Sequence, residues 1–374
     1  MKTNTTWHAG LGLGQELPLR RRVLAAVALV SLALAPAFLT PTALAQTPPP
    51  DYGIEFVTVG AVNNPAFQGG PFPLPRWPAP GRGSVSYEYR IGKYEITTAQ
   101  WMEYENTFKG VPWGQEPRFT HWSGPYRWGV VSDPNYHGPG WRYMLNPTSP
   151  NAGMQPVFGI SWREAAIYCN WLHNGKSSDP ASLLTGAYDT TTWGNNPDGS
   201  FTDALTHLPG ARYWIPTFDE QLKAFHYDPD RHGPGQGGWW LNKNRRDDYG
   251  IPGPPGVGQT SAGWLDPIFE GELEIPLGAY PDQTSPWGLF DTSGGAKEWS
   301  EGWAPQIGAP GERFLFGHPA GPQGPDDNIY YVSSYDPGSR GLFEGLRIAS
   351  SVPSPGAGVL IVYFCVFGLQ RKRS

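Results

Sequence analysis

The chain has 374 residues, of which 49 are glycine and 41 proline, close to a quarter of the total, beside 14% aromatics. So much glycine and proline can mark disorder, but disordered chains lack aromatics, so the combination points to a compact, loop-rich domain of short elements packed through rings. Residues 46–355 carry 20 Lys/Arg against 32 Asp/Glu, a net charge of −12; an acidic surface with no basic stripe excludes a phosphate backbone as partner.

Arg20-Arg-Arg22 precedes an apolar run from Val23 to Leu39, and Ala43-Leu-Ala45 supplies small residues before a cut, so residues 1–45 read as a secretory signal peptide. Pro36 and Pro41 interrupt the run, which weighs against an anchored helix. Residues 46–84 form a Pro/Gly-rich N-terminal segment opening on a stiff proline linker and containing Val57-Thr-Val59. Tyr87 to Ile96 alternates as strands do. Thr97 or Thr98 then caps a helix over Ala99–Phe108. Residues 110–155 have no clear period, and Pro156-Val-Phe-Gly-Ile160 reads as a short apolar strand.

Ser161 caps the next helix and Glu164 completes a capping box; Ala165, Cys169 and Leu172 share its inner face. Residues 174–210 and 228–274 read as polar insertions. Between them Tyr213-Trp-Ile-Pro216 leads to Thr217, a cap with Glu220 at the box position, and a helix over Phe218–Tyr227. The chain has two cysteines. Cys365 lies in a C-terminal apolar run, so Cys169 has no partner and reads as a small core hydrophobe.

In Trp287–Trp303, Asp291 and Glu298 flank Gly294 and Gly295. Glycines at positive φ let a loop aim carbonyls inward, and carboxylates plus carbonyls suit a hard cation such as Ca²⁺. The competing reading is a tight turn in which Asp291 caps its own backbone. Of the histidines, His226 and His232 flank Asp228 and Asp230. A His226/Asp230/His232 metal site competes there with a solvated turn after the helix, and the turn is favoured.

Residues 351–374 contain Val352-Pro-Ser-Pro355, an apolar run of about 14 residues, shorter than a comfortable bilayer span, and Arg371-Lys-Arg373. The layout resembles the PEP-CTERM sorting tail of some Gram-negative bacteria, with Ser354 where that family has Glu. The resemblance implies exosortase-type sorting machinery as a partner; a simple tail anchor is the alternative. The expected localisation is the cell envelope or outside it, touching membrane only through this tail.

Five blocks, in order over roughly residues 85–350, resemble the formylglycine-generating-enzyme (sulfatase-modifying factor) family. They are Tyr94–Trp101, Pro156–Trp171, Tyr213–Leu222, Trp287–Trp303 and Gly345–Ala349. The resemblance implies an α+β fold of C-type-lectin-like type, loop-rich and low in regular secondary structure. It implies Ca²⁺ held by Asp291, Gly294, Ala296 and Glu298. A second family calcium site lacks its acid, since Gly278 stands there. The family's oxidase uses two late cysteines to bind copper, and thiolate is indispensable to that chemistry. Phe314–Gly345 contains no cysteine, and Ile348 replaces the disulfide partner of Cys169. Copper and oxidase activity are therefore not expected, and no catalytic residue is assigned. The reading favoured is an exported binding or accessory protein for a glycan or peptide. An enzyme with altered chemistry and a structural envelope component are the alternatives. Trp239 with Trp240, or Trp122 with Trp128, on an open cleft would favour binding; a convergent His/Asp/Glu pocket would favour an enzyme.

Overall fold

The computed structural model describes residues 49–69, 79–108, 129–264, 274–304, 310–321 and 327–352. The expected signal peptide, the expected sorting tail with Ser354 and Cys365, and Trp122 and Trp128 lie outside them. In chain order the elements are β1 (Phe56–Val59), β2 (Tyr89–Gly92), α1 (Thr98–Thr107), β3 (Val130–Ser132), β4 (Tyr143–Leu145), α2 (Trp162–His173), β5 (Tyr213–Trp214), α3 (Phe218–His226), β6 (Tyr227–Asp228), β7 (Gly238–Trp239), β8 (Lys297–Trp303), β9 (Arg313–Phe316), β10 (Val332–Tyr335), β11 (Glu344–Gly345) and β12 (Ala349–Ser351).

The three helices start where their local chemistry says they should. Each N-cap hydroxyl accepts from the backbone three residues on, and that residue's side chain returns the bond: Thr97 with Gln100, Ser161 with Glu164, Thr217 with Glu220. A reciprocal pair satisfies two amides that the first turn leaves open. The stretch Pro156–Ile160, expected as a strand, forms none. Gly159 sits at φ +71° and breaks the extended run, so Val157 bonds the Ile96 carbonyl while Ile160 bonds that of Glu344. The run stitches two elements instead of lying along one.

Two four-stranded sheets organise the core, ordered β1-β2-β12-β5 and β10-β9-β8-β11. In the first, β12 lies antiparallel to both neighbours, with Ala349 opposite Ile91 and Trp214. In the second, β11 runs parallel to β8, pairing Gly345 with Glu298. The segment 344–351 thus contributes to both sheets. Helices α1 and α2 meet through rings: Trp101 stacks on Tyr168 at 5.1 Å, and Tyr104 packs on Tyr168 and Trp171. The Trp299 indole of β8 donates to the Ile160 carbonyl at 2.8 Å, tying the second sheet to the start of α2.

The insertion after α2 is pinned by one side chain. Buried Asn170 donates to the carbonyls of Leu183 and Tyr188 and accepts from the amides of Ala187 and Tyr188. All four of its amide bonding positions are used, so a polar group inside the core carries no desolvation penalty left unpaid.

Candidate functional site

The glycine loop before β8 is pressed against two neighbours. Gly294 and Gly295 have φ of +87° and +63°. A Cβ on the first would lie 2.2 Å from Ser261 Oγ, and on the second 2.6 Å from Glu95 Oε1, so neither position admits a side chain. Asp291 itself is left-handed at φ +54°. Its Oδ2 accepts from the Gly278 amide at 2.6 Å, across the loop and not from its own turn.

Two buried carboxylates, Glu95 and Glu298, and half-buried Asp291 gather around one guanidinium here. Arg347 donates to Glu298 through Nε at 3.0 Å and Nη2 at 2.8 Å, and to the carbonyls of Gly92, Lys93 and Phe290. Gln221 adds a bond to Glu298 at 2.9 Å. Glu95 takes the Ala296 amide on both oxygens, at 3.2 and 3.1 Å. Burial, then the Glu298 charge, pushes the Glu95 carboxyl well above its ordinary range, against the pull of Arg347. Burial pushes Asp291 up to about 6, although the Gly278 amide and Arg347 oppose it. With all three acids ionised, one arginine leaves two negative charges without a counter-cation.

That excess bears on the calcium expected at Asp291, Gly294, Ala296 and Glu298. A void of about 10 Å³ borders Asp291, Gly295 and Ser261, room on the scale of one water-sized guest. Among the described residues no donor is bonded to the carbonyl oxygens of Gly294 or Ala296, and Gln221 Oε1 is buried without a partner. Charge, donor type and space therefore fit a hard divalent cation. Glu298 fits less well, because Arg347 and Gln221 already occupy both its oxygens. The described residues form no cluster of three acidic, histidine or cysteine ligands, so an ion here would be held by one carboxylate and the loop carbonyls, not by a cage of acids.

Sequence reasoning singled out Asp291 and Glu298 but missed the roles of Glu95 and Arg347. Both residues stood inside recognised blocks, and a charged residue in an apolar block was the signal available.

Cys169 is fully buried on α2 and unpaired. Burial, and then the Glu301 charge, pushes its thiol well above the ordinary value, opposite to what a reactive or metal-binding thiolate requires. Ile348, at the expected disulfide position, is buried too. His226 turns inward, its Nδ1 3.2 Å from the Trp240 carbonyl, and burial lowers its pKa well below the usual value. Asp230 caps its own turn by accepting from the Gly235 amide, and Asp228 accepts from the Asp230 amide and the Trp240 indole. These residues make a turn, each tied to the backbone or to a ring. Trp239 and Trp240 are likewise engaged, the first by the Pro65 carbonyl and Tyr227, the second by Asp228 and Arg231.

Open clefts lie elsewhere among the described residues, two of them of ligand size. One of about 380 Å³ is lined by Ile54, Tyr94, Thr97, Gln100 and Met154. The other, about 460 Å³, is lined by Tyr87, His207, Arg212 and Trp214. Behind His207 stands Glu301, buried on β8, at 3.0 Å from its Nδ1.

Among solved structures, the chain is similar to CarF, at 17% identity over 80% of this chain and 98% of that one, TM-score 0.43. It is similar to PvdO of Pseudomonas aeruginosa, at 15% identity over 82% and 97%, TM-score 0.44. It is also similar to variable protein 1 of Treponema denticola, at 14% identity over 79% and 95%, TM-score 0.42. No curated protein sequence matches it. The model of the sulfatase-modifying factor enzyme 1-like domain matches residues 67–351, which is most of the chain. The mixed α+β, loop-rich architecture agrees with that match, and the chain belongs to the sulfatase-modifying factor (FGE-sulfatase) family.

Proposed function

We propose that this family member works without the oxidase thiolates, as an exported binding or accessory domain whose glycine loop is stabilised by calcium. The observation that carries the reading is Cys169. It is the one cysteine outside the C-terminal apolar run, and it is fully buried on α2, on the side of Tyr188 and Glu301. Copper-thiolate oxidation needs accessible sulfur, and this domain offers none. Supporting calcium are the gathering of Glu95, Asp291 and Glu298 about a single arginine and the void beside Asp291. Bound Ca²⁺ would supply positive charge there; Asp291 and the carbonyls of Gly294 and Ala296 would hold it. The signal peptide and PEP-CTERM-like tail support export to the envelope and handling by exosortase-type machinery, and the open clefts support a glycan or peptide ligand.

The test is mass spectrometry of a Cys-x-Pro-x-Arg peptide incubated with the purified protein, oxygen, copper and a reductant. The expected result is an unchanged peptide cysteine; conversion to an aldehyde refutes the reading. An enzyme with altered chemistry is the second reading. It is favoured by the His207–Glu301 pair at the larger cleft, since a buried carboxylate that orients an imidazole is a general-base arrangement.

A further inference from the structure

The larger cleft presents hydrogen-bond donors whose protein acceptors are already spent elsewhere. Glu301 accepts from the Tyr188 hydroxyl at 2.7 Å, the His207 amide at 2.7 Å and His207 Nδ1. Glu220 accepts from the Tyr87 hydroxyl, the Trp214 indole and the Thr217 amide. Both acids are buried, so neither carboxylate serves as a free acceptor in the cleft.

His207 is fixed by three contacts: its amide and Nδ1 on Glu301, and its ring stacked on Trp214 at 4.8 Å. Nε2 has no hydrogen-bond partner among the described residues. Arg212 is held only through its backbone, the amide donating to His173 Nδ1 and the carbonyl accepting from the Ser351 amide. Among the described arginines it alone has a guanidinium with neither a hydrogen bond nor an ion pair; Arg82, Arg90, Arg163, Arg231, Arg340 and Arg347 each hold a carboxylate. A guanidinium is a rigid fork matched to a carboxylate, so an unpaired one lining a cleft with a pre-oriented imidazole is a place for an anion. Half-exposed Tyr87 and the edge of Trp214 line the same space. The exposed Tyr87 ring gives a carbohydrate ring an apolar bed, and the volume is that of a small-ligand site.

We propose that this cleft binds a carboxylate-bearing sugar, with Arg212 and His207 on the carboxylate and Tyr87 and Trp214 beside the ring. The proposal deepens the binding reading above and rests on it. Around His207 stand Glu301 on β8, Glu220 on α3, the phenols of Tyr188 and Tyr87, and Arg212. Burial lowers the His207 pKa, but the bond to Glu301 and the charges of Glu301 and Glu220 outweigh it and raise the pKa above the ordinary value. The imidazole therefore carries charge in mildly acidic solution and loses it as pH rises, and carboxylate binding weakens in that direction.

The experiment is calorimetric titration of the full chain with glucuronate and with glucose, which lacks the carboxylate, at about pH 6 and about pH 8.5. Glucuronate is expected to bind at least about 10-fold more tightly than glucose, and Arg212→Ala to weaken it by about 10-fold or more. Arg212→Lys keeps the charge without the fork and recovers part of the loss. Unchanged melting temperature shows that the variants fold. Equal binding of the two sugars, or glucuronate binding indifferent to Arg212→Ala, overturns the carboxylate assignment. If neither sugar binds, the assignment also falls; a neutral glycan or peptide that still binds the protein would leave the broader binding reading standing.

Discussion

Replacing Arg347 with methionine should destabilise this domain strongly. The side chain is fully buried and donates to Glu298 and three backbone carbonyls. Methionine fills much of the volume but donates nothing, so Glu298 is left a buried charge with only Gln221 for company. Removing one partner of a buried pair costs about 3–5 kcal/mol, most of it the stranded charge. In a domain of this size each kcal/mol moves the melting temperature by about 2 °C, so the expected drop is roughly 6–10 °C. Glu95 and Asp291 also lose the cation that opposes their raised pKa values, so the deficit should be larger at pH 8 than at pH 5. Thermal melts of wild type, Arg347→Met and the double variant Arg347→Met/Glu298→Leu decide it. The double variant should recover part of the loss, because an apolar pair replaces the ion pair without stranding a charge. A drop under about 2 °C for Arg347→Met, or a double variant worse than the single, would refute the account.

Burial pushes the Asp291 carboxyl up to about 6, from an ordinary 3.8. A carboxyl whose folded pKa is raised contributes stability below its unfolded pKa and loses it as pH rises through the folded value, at a cost of up to about 3 kcal/mol. Metal-free protein should therefore melt higher at pH 5 than at pH 7, and Asp291→Asn should melt higher than wild type at pH 7. Saturating Ca²⁺ at pH 7 should raise the melting temperature of wild type and do less for Asp291→Asn; an identical shift in both would remove Asp291 from the ligand set. Cys169 should resist a thiol reagent in the native protein and react fully in denaturant; rapid native labelling would contradict its burial. Asn170→Ala should cost about 3 kcal/mol, since it strands two amides and two carbonyls, and limited proteolysis should then cut first within residues 175–190.

What was legible in the sequence was mostly local. The three capping boxes were readable because a hydroxyl residue and its Glu or Gln stand three positions apart, and the structure forms all three. The inward face of Cys169 followed from helical spacing. The alternation of Tyr87–Ile96 pointed to a strand, and β2 occupies its middle, Tyr89–Gly92. Pro156–Ile160 misled because a short apolar run cannot report the φ of Gly159. The charged centre was hidden for another reason. Arg347 and Glu298 are 49 residues apart, Glu95 and Ala296 201, His207 and Glu301 94. No period or spacing rule reaches across such distances, and the partner of a buried charge is decided by the fold.

The position of β12 sets a timetable for the newborn chain. Strand β2 waits for a neighbour encoded more than 250 residues later. At about 5–20 residues per second, synthesis leaves it with an open edge for roughly 13–50 s. Until residues 344–351 emerge, the first sheet lacks its interior strand, the second lacks its parallel edge, and Arg347 has not yet reached Glu298. Neither sheet can close fully before residues 344–351 have been made, so both are completed by the same short stretch. One change within that stretch would therefore be felt in both sheets at once.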